Sequence, residues 1–227
     1  MAVIPHRFID RLNPQPSIGV LNTLIIGTFN PGLPIDETLT DQERLLFQGI
    51  RATDKFRRFN EVRNFYDRPQ NRFWKIMDVI NSPEYYLQNP YNTQNPKGLK
   101  YYRGFDRNNV FQCQQQFCAD KGLFITDIVR KINTSNFDII YNNFADSVID
   151  RLVSEWNTEH IIDTITQFGP AQVIINFGTN GAIPRISEQV NLMKQQFPNI
   201  ITHALSTSGA AGNTYQDLVA DWGRFFN

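Results

Sequence analysis

Short apolar runs alternate with amphipathic stretches along this chain. The runs are Leu24-Ile25-Ile26, Leu123 to Val129, Ala171 to Phe177 and Asn199 to Leu205, and turn-forming residues follow or interrupt each of them. Runs of this length bounded by turn formers predict buried strands. Asp36 to Gly49 carries Leu39, Leu45, Leu46 and Phe47 among charges, which predicts a helix stopped by Gly49. Phe73, Trp74, Met77 and Ile80 form the stripe of a helix opening around Pro69 to Met77. Asn109 to Lys121, Val148 to Phe168, Pro184 to Phe197 and Asn213 to Phe226 also read as helices, with Gly122 after the first and Gly169-Pro170 after the second. Strands alternating with helices predict an α/β fold: a central, mostly parallel four-stranded sheet in a three-layer α/β/α sandwich. No repeat of fixed period is present.

Two segments break the alternation. Residues 1–20 hold Pro5, Pro14 and Pro16 and predict an extended arm packed on the domain. Residues 81–109, rich in Asn, Pro, Tyr, Gln and Gly, predict a long irregular insertion. At 227 residues the economical reading is one domain, 1–227, with insertions at about 33–64 and 81–109.

Charge changes the picture locally. Lys plus Arg and Asp plus Glu both number 22, so the net charge is zero. Yet Arg51, Lys55, Arg57, Arg58, Arg63, Arg68, Arg72 and Lys75 crowd one stretch, and acidic residues outnumber basic ones from Phe137 onward. That distribution suits one anion-binding face better than the coating of a polyanion. Cys113 and Cys118 fall on different sides of a helix, and His6, His160 and His203 are scattered. Neither a disulfide, a metal site nor an iron–sulfur cluster is predicted. No run has signal-peptide or membrane-span character, so the chain reads as cytoplasmic, with no membrane partner.

In a parallel sheet the loops at the carboxyl ends of the strands converge, and ligands bind there. Those loops are Gly27 to Gly32, the turn after Asp127, Gly178-Thr179-Asn180-Gly181, and Ser206 to Gly212. Glycine and small hydroxyl residues let backbone N–H groups approach an anion, or they merely make tight strand-to-helix turns.

Three of these stretches resemble motifs of the uracil-DNA glycosylase superfamily. Gly27-Thr28-Phe29-Asn30-Pro31-Gly32-Leu33 resembles the Gly-x-Asn-Pro-Gly-Leu motif of the mismatch-specific branch, with one extra residue before Asn. Phe65-Tyr66-Asp67-Arg68-Pro69-Gln70-Asn71-Arg72-Phe73-Trp74 is similar to the aromatic-x-His-Pro-x-Asn-x-Phe-Trp stretch shared with the hypoxanthine branch. Leu205-Ser206-Thr207-Ser208-Gly209-Ala210, before a Trp-containing terminal helix, resembles Pro-Ser-Thr-Ser-Pro-Ala. Arg68 stands where the family has His, Asp67 adds a carboxylate, and Gly209 replaces Pro.

The resemblance implies a uracil-DNA glycosylase-like fold and a monofunctional enzyme that hydrolyses the N-glycosidic bond of a flipped uracil or hypoxanthine. It implies DNA as partner, a monomer, and no cofactor. The chemistry suits these residue types: the sugar becomes oxocarbenium-like as the base leaves with negative charge, so nearby donors and an oriented water suffice. The mismatch-specific branch implies Asn30 as the water-holding residue, and the hypoxanthine branch implies Asn71. Tyr66 is the candidate stacking partner for the base, and Gly27, Thr28 and Phe29 line its edge. Ser206, Thr207, Ser208 and Gly209, with Arg68, are the candidates for DNA phosphates. Phe73 and Trp74 fall to packing. Asp127 and Asn176 cap turns or read a base edge. Lys97, Lys100, Arg103 and Arg107, interleaved with Tyr101, Tyr102 and Phe105, suit a nucleic-acid strand or the docking of an insertion. Two other classes compete: an inactive member binding nucleic acid or a nucleotide in the same cleft, and a small-molecule α/β enzyme. Missing Gly-x-Gly-x-x-Gly, Gly-Lys-Ser/Thr and Ser-His-acid patterns count against the second.

Overall fold

The computed structural model describes residues 1–9, 21–68, 71–81, 83–84, 109–142, 145–178, 181–208 and 211–226. Its strands are β1 (Ala2–Pro5), β2 (Thr23–Gly27), β3 (Leu123–Asp127), β4 (Val129–Thr134), β5 (Val153–Trp156), β6 (Gln172–Ile175) and β7 (Ile201–His203). The helices are α1 (Asp41–Arg51), α2 (Asp54–Asn60), α3 (Phe73–Asn81), α4 (Val110–Lys121), α5 (Phe137–Asn142), α6 (Asp146–Leu152), α7 (Thr158–Phe168), α8 (Pro184–Gln196) and α9 (Tyr215–Gly223).

The predicted sheet is present. Its order is β3-β2-β6-β7, every pair is parallel, and Ile26 stands opposite both Thr126 and Ile175. Leu24 and Ile26 face one core with Phe124, Val173 and Ile175, while Ile25 faces the other with Ile125 and Ile174. A strand apolar on both sides needs cover on both faces, which is why helices flank this sheet in an α/β/α sandwich. Helices α3, α4 and α9 cover the Ile25 face through Trp74, Phe117 and Trp222. On the other face α7 and α8 bring Ile161, Ile165, Ile186 and Val190, and α1, α2 and α5 add an aromatic group around Phe47, Phe56 and Phe137.

Several elements differ from their sequence reading. Residues 1–9 do pack on the domain, but Ala2–Pro5 is a strand pairing antiparallel with β4. The run Leu123 to Val129 divides at Ile128, and its second part continues as β4 in a separate sheet of order β1-β4-β5. The single helix expected over Val148 to Phe168 is broken by β5, where Glu155 meets Lys131 at 2.5 Å across the pair. Asn157 fixes the following corner, donating from Nδ2 to Thr126 Oγ1 and to the Asp127 carbonyl. Helix α1 starts late, at a capping box of Thr40 and Glu43, and runs past Gly49, around which there is open space. Gly122 and Gly169 end α4 and α7 in the left-handed region, as their positions predicted.

Among the described residues no helix is long and apolar enough to cross a membrane. Cys113 and Cys118 are free thiols. The basic and aromatic segment Lys97 to Arg107 lies outside the described residues.

Candidate functional site

Because the four strands are parallel, their carboxyl ends share one edge. Gly27, Asp127, Asn176 and the Leu205 to Ser208 loop all stand on it. Asn30 arrives on the loop leaving β2, Tyr66 on the turn after α2, and Asn71 just ahead of α3.

Asp127 is the hub of this edge. It is the one ionisable residue in the strand Leu-Phe-Ile-Thr-Asp, and it is fully buried. Its Oδ2 accepts hydrogen bonds from Asn30 Nδ2 at 2.6 Å and from His6 Nε2 at 2.7 Å. His6 Nδ1 accepts the Phe8 backbone N–H at 2.9 Å, so the ring hydrogen sits on Nε2. Arg7 N donates to the Asn30 backbone carbonyl and Gly32 N to the Pro5 backbone carbonyl, so the N-terminal arm is stitched to the Asn30 loop.

The two candidate asparagines present opposite ends. Only an N–H can pair with a carboxylate oxygen, so Asn30 turns Nδ2 inward and is left with its carbonyl Oδ1. Asn71 does the reverse: its Oδ1 accepts from Phe73 N at 2.9 Å and from Thr207 Oγ1 at 3.0 Å. Thr207 Oγ1 in turn accepts from Asn176 Nδ2 at 3.2 Å. The second and third motifs are therefore latched together, and Asn30 stands apart from that latch on the Asp127 side.

Tyr66 lies between the two groups. Its ring is buried, packed against Phe73 with centroids 4.7 Å apart, and its backbone is in the left-handed region at φ 58°. The phenol oxygen faces Asp127 Oδ1 and the Asn176 amide, and neither it nor Asp127 Oδ1 makes a hydrogen bond of good geometry. Burial, with the charges of Asp127 and Asp146 adding, pushes the phenol well above its ordinary range, which removes Tyr66 as a proton acceptor. A methyl group on Gly27 would collide with both Asp127 Oδ1 and the phenol oxygen, so this first glycine of the motif is required by close packing.

Charge at the edge is mixed. Asp146, at the start of α6, is raised by burial and by Asp127, against a hydrogen bond from the Thr28 hydroxyl. Arg68 lies over the Phe59 ring at 5.0 Å, and burial, with Arg7 beside it, lowers it to about 9. Arg7, Phe8, Asn30, Pro31, Phe59, Val62 and Arg68 line a shallow open depression.

The remaining candidates divide. The Gly27 and Thr28 carbonyls accept from Ile128 N and Val129 N, and Phe29 is buried edge-on against His6 at 5.5 Å. In the Ser-Thr-Ser run Thr207 points inward, Ser206 is half-buried and Ser208 is exposed; Gly209 lies outside the described residues. Phe73 and Trp74 are core, and Trp74 Nε1 donates to the Phe65 carbonyl, holding the turn that carries Tyr66. Sequence reasoning passed over His6 and Asp146 and gave Asp127 only a minor role. An acid closing an otherwise apolar strand was the available signal for Asp127. His6 gave none, since its partner is 121 residues away.

Among the described residues, no cluster of three His, Cys, Asp or Glu side chains is placed to hold a metal ion. Comparisons with protein-family models, with curated proteins and with solved structures return no match.

Proposed function

We propose that the protein is a monofunctional DNA glycosylase that hydrolyses the N-glycosidic bond of a deaminated base, uracil or hypoxanthine. The observation that carries this reading is Asn30: an asparagine at the carboxyl end of a central parallel strand, its amide nitrogen held by a buried carboxylate and its carbonyl oxygen uncommitted. A carbonyl oxygen can accept a hydrogen from water and turn the water's lone pair toward the anomeric carbon. The water oxygen bonds to that carbon, the glycosidic electron pair leaves with the base, and the water's surplus proton passes to solvent. Little basicity is required, because the sugar is already cation-like when attack occurs.

Asn71 takes a different part. With its carbonyl engaged by the start of α3 and by Thr207, it holds the Ser206 to Ser208 loop at the edge. Ser206, Ser208 and Arg68 are the groups this reading assigns to phosphate, and Thr207 serves the latch. No lysine falls within the three motifs, so no Schiff base with the sugar forms. A second reading, a non-catalytic binder of nucleic acid or a nucleotide, draws on the buried Tyr66 ring, which offers no face to a base in this conformation.

Incubation with labelled oligonucleotides carrying uracil, hypoxanthine or mismatched thymine, followed by alkali, separates the two. The expected result is strand cleavage, reduced about a hundredfold or more by Asn30→Ala. Asn71→Ala costs about 1 kcal/mol of stability through its lost hydrogen bonds to Phe73 N and Thr207 Oγ1, and reduces cleavage less. Binding without cleavage of any substrate selects the second reading.

A further inference from the structure

We propose that Asp127 and His6 are positioning residues for Asn30, a hydrogen-bonded relay that keeps the Asn30 carbonyl oxygen turned toward the reacting water. The inference rests on the glycosylase reading and extends it to residues outside all three motifs. An asparagine amide can rotate by half a turn with little change in shape, and one orientation would present an N–H, useless for drawing on a water hydrogen. Something must break that symmetry.

The buried edge does so step by step. The Phe8 backbone N–H donates to His6 Nδ1, which obliges the ring to carry its hydrogen on Nε2. Nε2 donates to Asp127 Oδ2, and that same oxygen takes the Asn30 Nδ2 hydrogen. Two donors converging on one oxygen fix the rotation of the carboxylate, and a carboxylate has no hydrogen with which to accommodate a flipped amide. The His6 ring is itself confined by Phe29 at 5.5 Å and Phe65 at 5.3 Å. One residue on from His6, the Arg7 N–H donates to the Asn30 backbone carbonyl, so the backbones that carry the two ends of the relay are paired as well. An arm pinned only for stability would not need its contacts to end on the one side chain whose orientation matters.

The test separates orientation from folding. In Asp127→Asn the new carbonyl can accept both hydrogens, so the single-turnover rate stays within about fivefold of the parent. In Asp127→Leu the acceptor is gone: the rate falls about a hundredfold while oligonucleotide affinity holds. His6→Phe keeps the ring and loses the donor, costing about tenfold. The second readout needs no activity. The Asn30 side-chain amide signals in a 15N-correlated NMR spectrum, assigned by their loss in Asn30→Asp, should be shifted downfield and protected from exchange in the parent and in Asp127→Asn. They should lose both properties in Asp127→Leu. If Asp127→Leu does not fold, His6→Phe decides. Unchanged Asn30 signals in the folded acceptor-less or donor-less variant overturn the proposal. So does equal rate loss in the Asn and Leu variants with parallel loss of melting temperature. If the parent cleaves nothing, the glycosylase reading fails, and the NMR signals alone still decide whether the relay orients Asn30.

Discussion

Tyr66 bears two costs at once. A bulky residue at φ 58° is strained, and its phenol is buried with no well-formed hydrogen bond beside a carboxylate oxygen that also lacks one. An unsatisfied buried polar group costs about 1–3 kcal/mol, so Tyr66→Phe, which keeps the ring on Phe73, should raise stability by about 1 kcal/mol. Urea unfolding of the two proteins measures it. A stability loss in Tyr66→Phe would mean that the phenol is bonded after all. The same residue marks how far single positions were legible. Asn30 could be picked out because Asn-Pro-Gly after an apolar run is a local pattern. Its partner Asp127 lies 97 residues away, and no local pattern states that a side chain 97 positions on will take its amide hydrogen. Tyr66 was legible as an aromatic of the motif, but its burial depends on Gly27 and Phe73, which only the folded chain brings beside it.

Elements were legible where local chemistry marks their ends and opaque where it does not. The glycine stops of α4 and α7 and the proline opening α8 are local signals, and all three hold. β5 was invisible because Val153 and Trp156 continue the apolar spacing of α6; only the non-local pairing with β4 makes the segment extended. Two elements carry testable consequences. Arg72, at the start of α3, donates to the Thr207 carbonyl from its backbone at 3.0 Å, and from its guanidinium to the Ser208 carbonyl at 2.9 Å and to the Asn213 carbonyl. A lysine has no fork to reach two carbonyls at once, so Arg72→Lys should cost about 2 kcal/mol and lower amide-exchange protection at 206–208 and 211–213 before the sheet is affected. Glu43, in the α1 capping box, is held by the Ser135 hydroxyl and by Thr40, which lowers it from 4.5 to about 2. A carboxyl depressed in the folded state contributes stability above its unfolded value, and loses it as pH falls through the folded one. The stability advantage of the parent over Glu43→Gln should therefore be full above about pH 4.5 and vanish toward pH 2. Urea midpoints across that range check it.

At the scale of the whole molecule, parallel strand order is what turns separate motifs into one edge. The α/β alternation was readable because buried parallel strands must be apolar throughout, and the convergence of the loops follows from that topology without any knowledge of side-chain partners. The antiparallel sheet β1-β4-β5 escaped because β4 and β5 alternate irregularly between buried and more exposed positions. With zero net charge the molecule has no overall attraction for DNA, so any affinity must come from a few local contacts, and Arg68 is the cation that lines the Asn30 depression beside Arg7. Arg7 is turned to the carbonyls of Phe59 and Asn60 at the end of α2, and Arg68 is the cation that the glycosylase reading assigns to a phosphate. Each neutralised phosphate adds about 0.9 to the slope of log affinity against log salt, so few contacts predict a shallow dependence. Arg68→Ala should lower that slope by about one and weaken all sequences alike. Arg151→Ala, at an exposed arginine bonded to its own helix on α6, should leave the slope unchanged. Anisotropy titrations of a duplex at several salt concentrations read both. An unchanged slope in Arg68→Ala would move the anion-binding face away from Asn30, toward the exposed Lys55, Arg57 and Arg58 of α2.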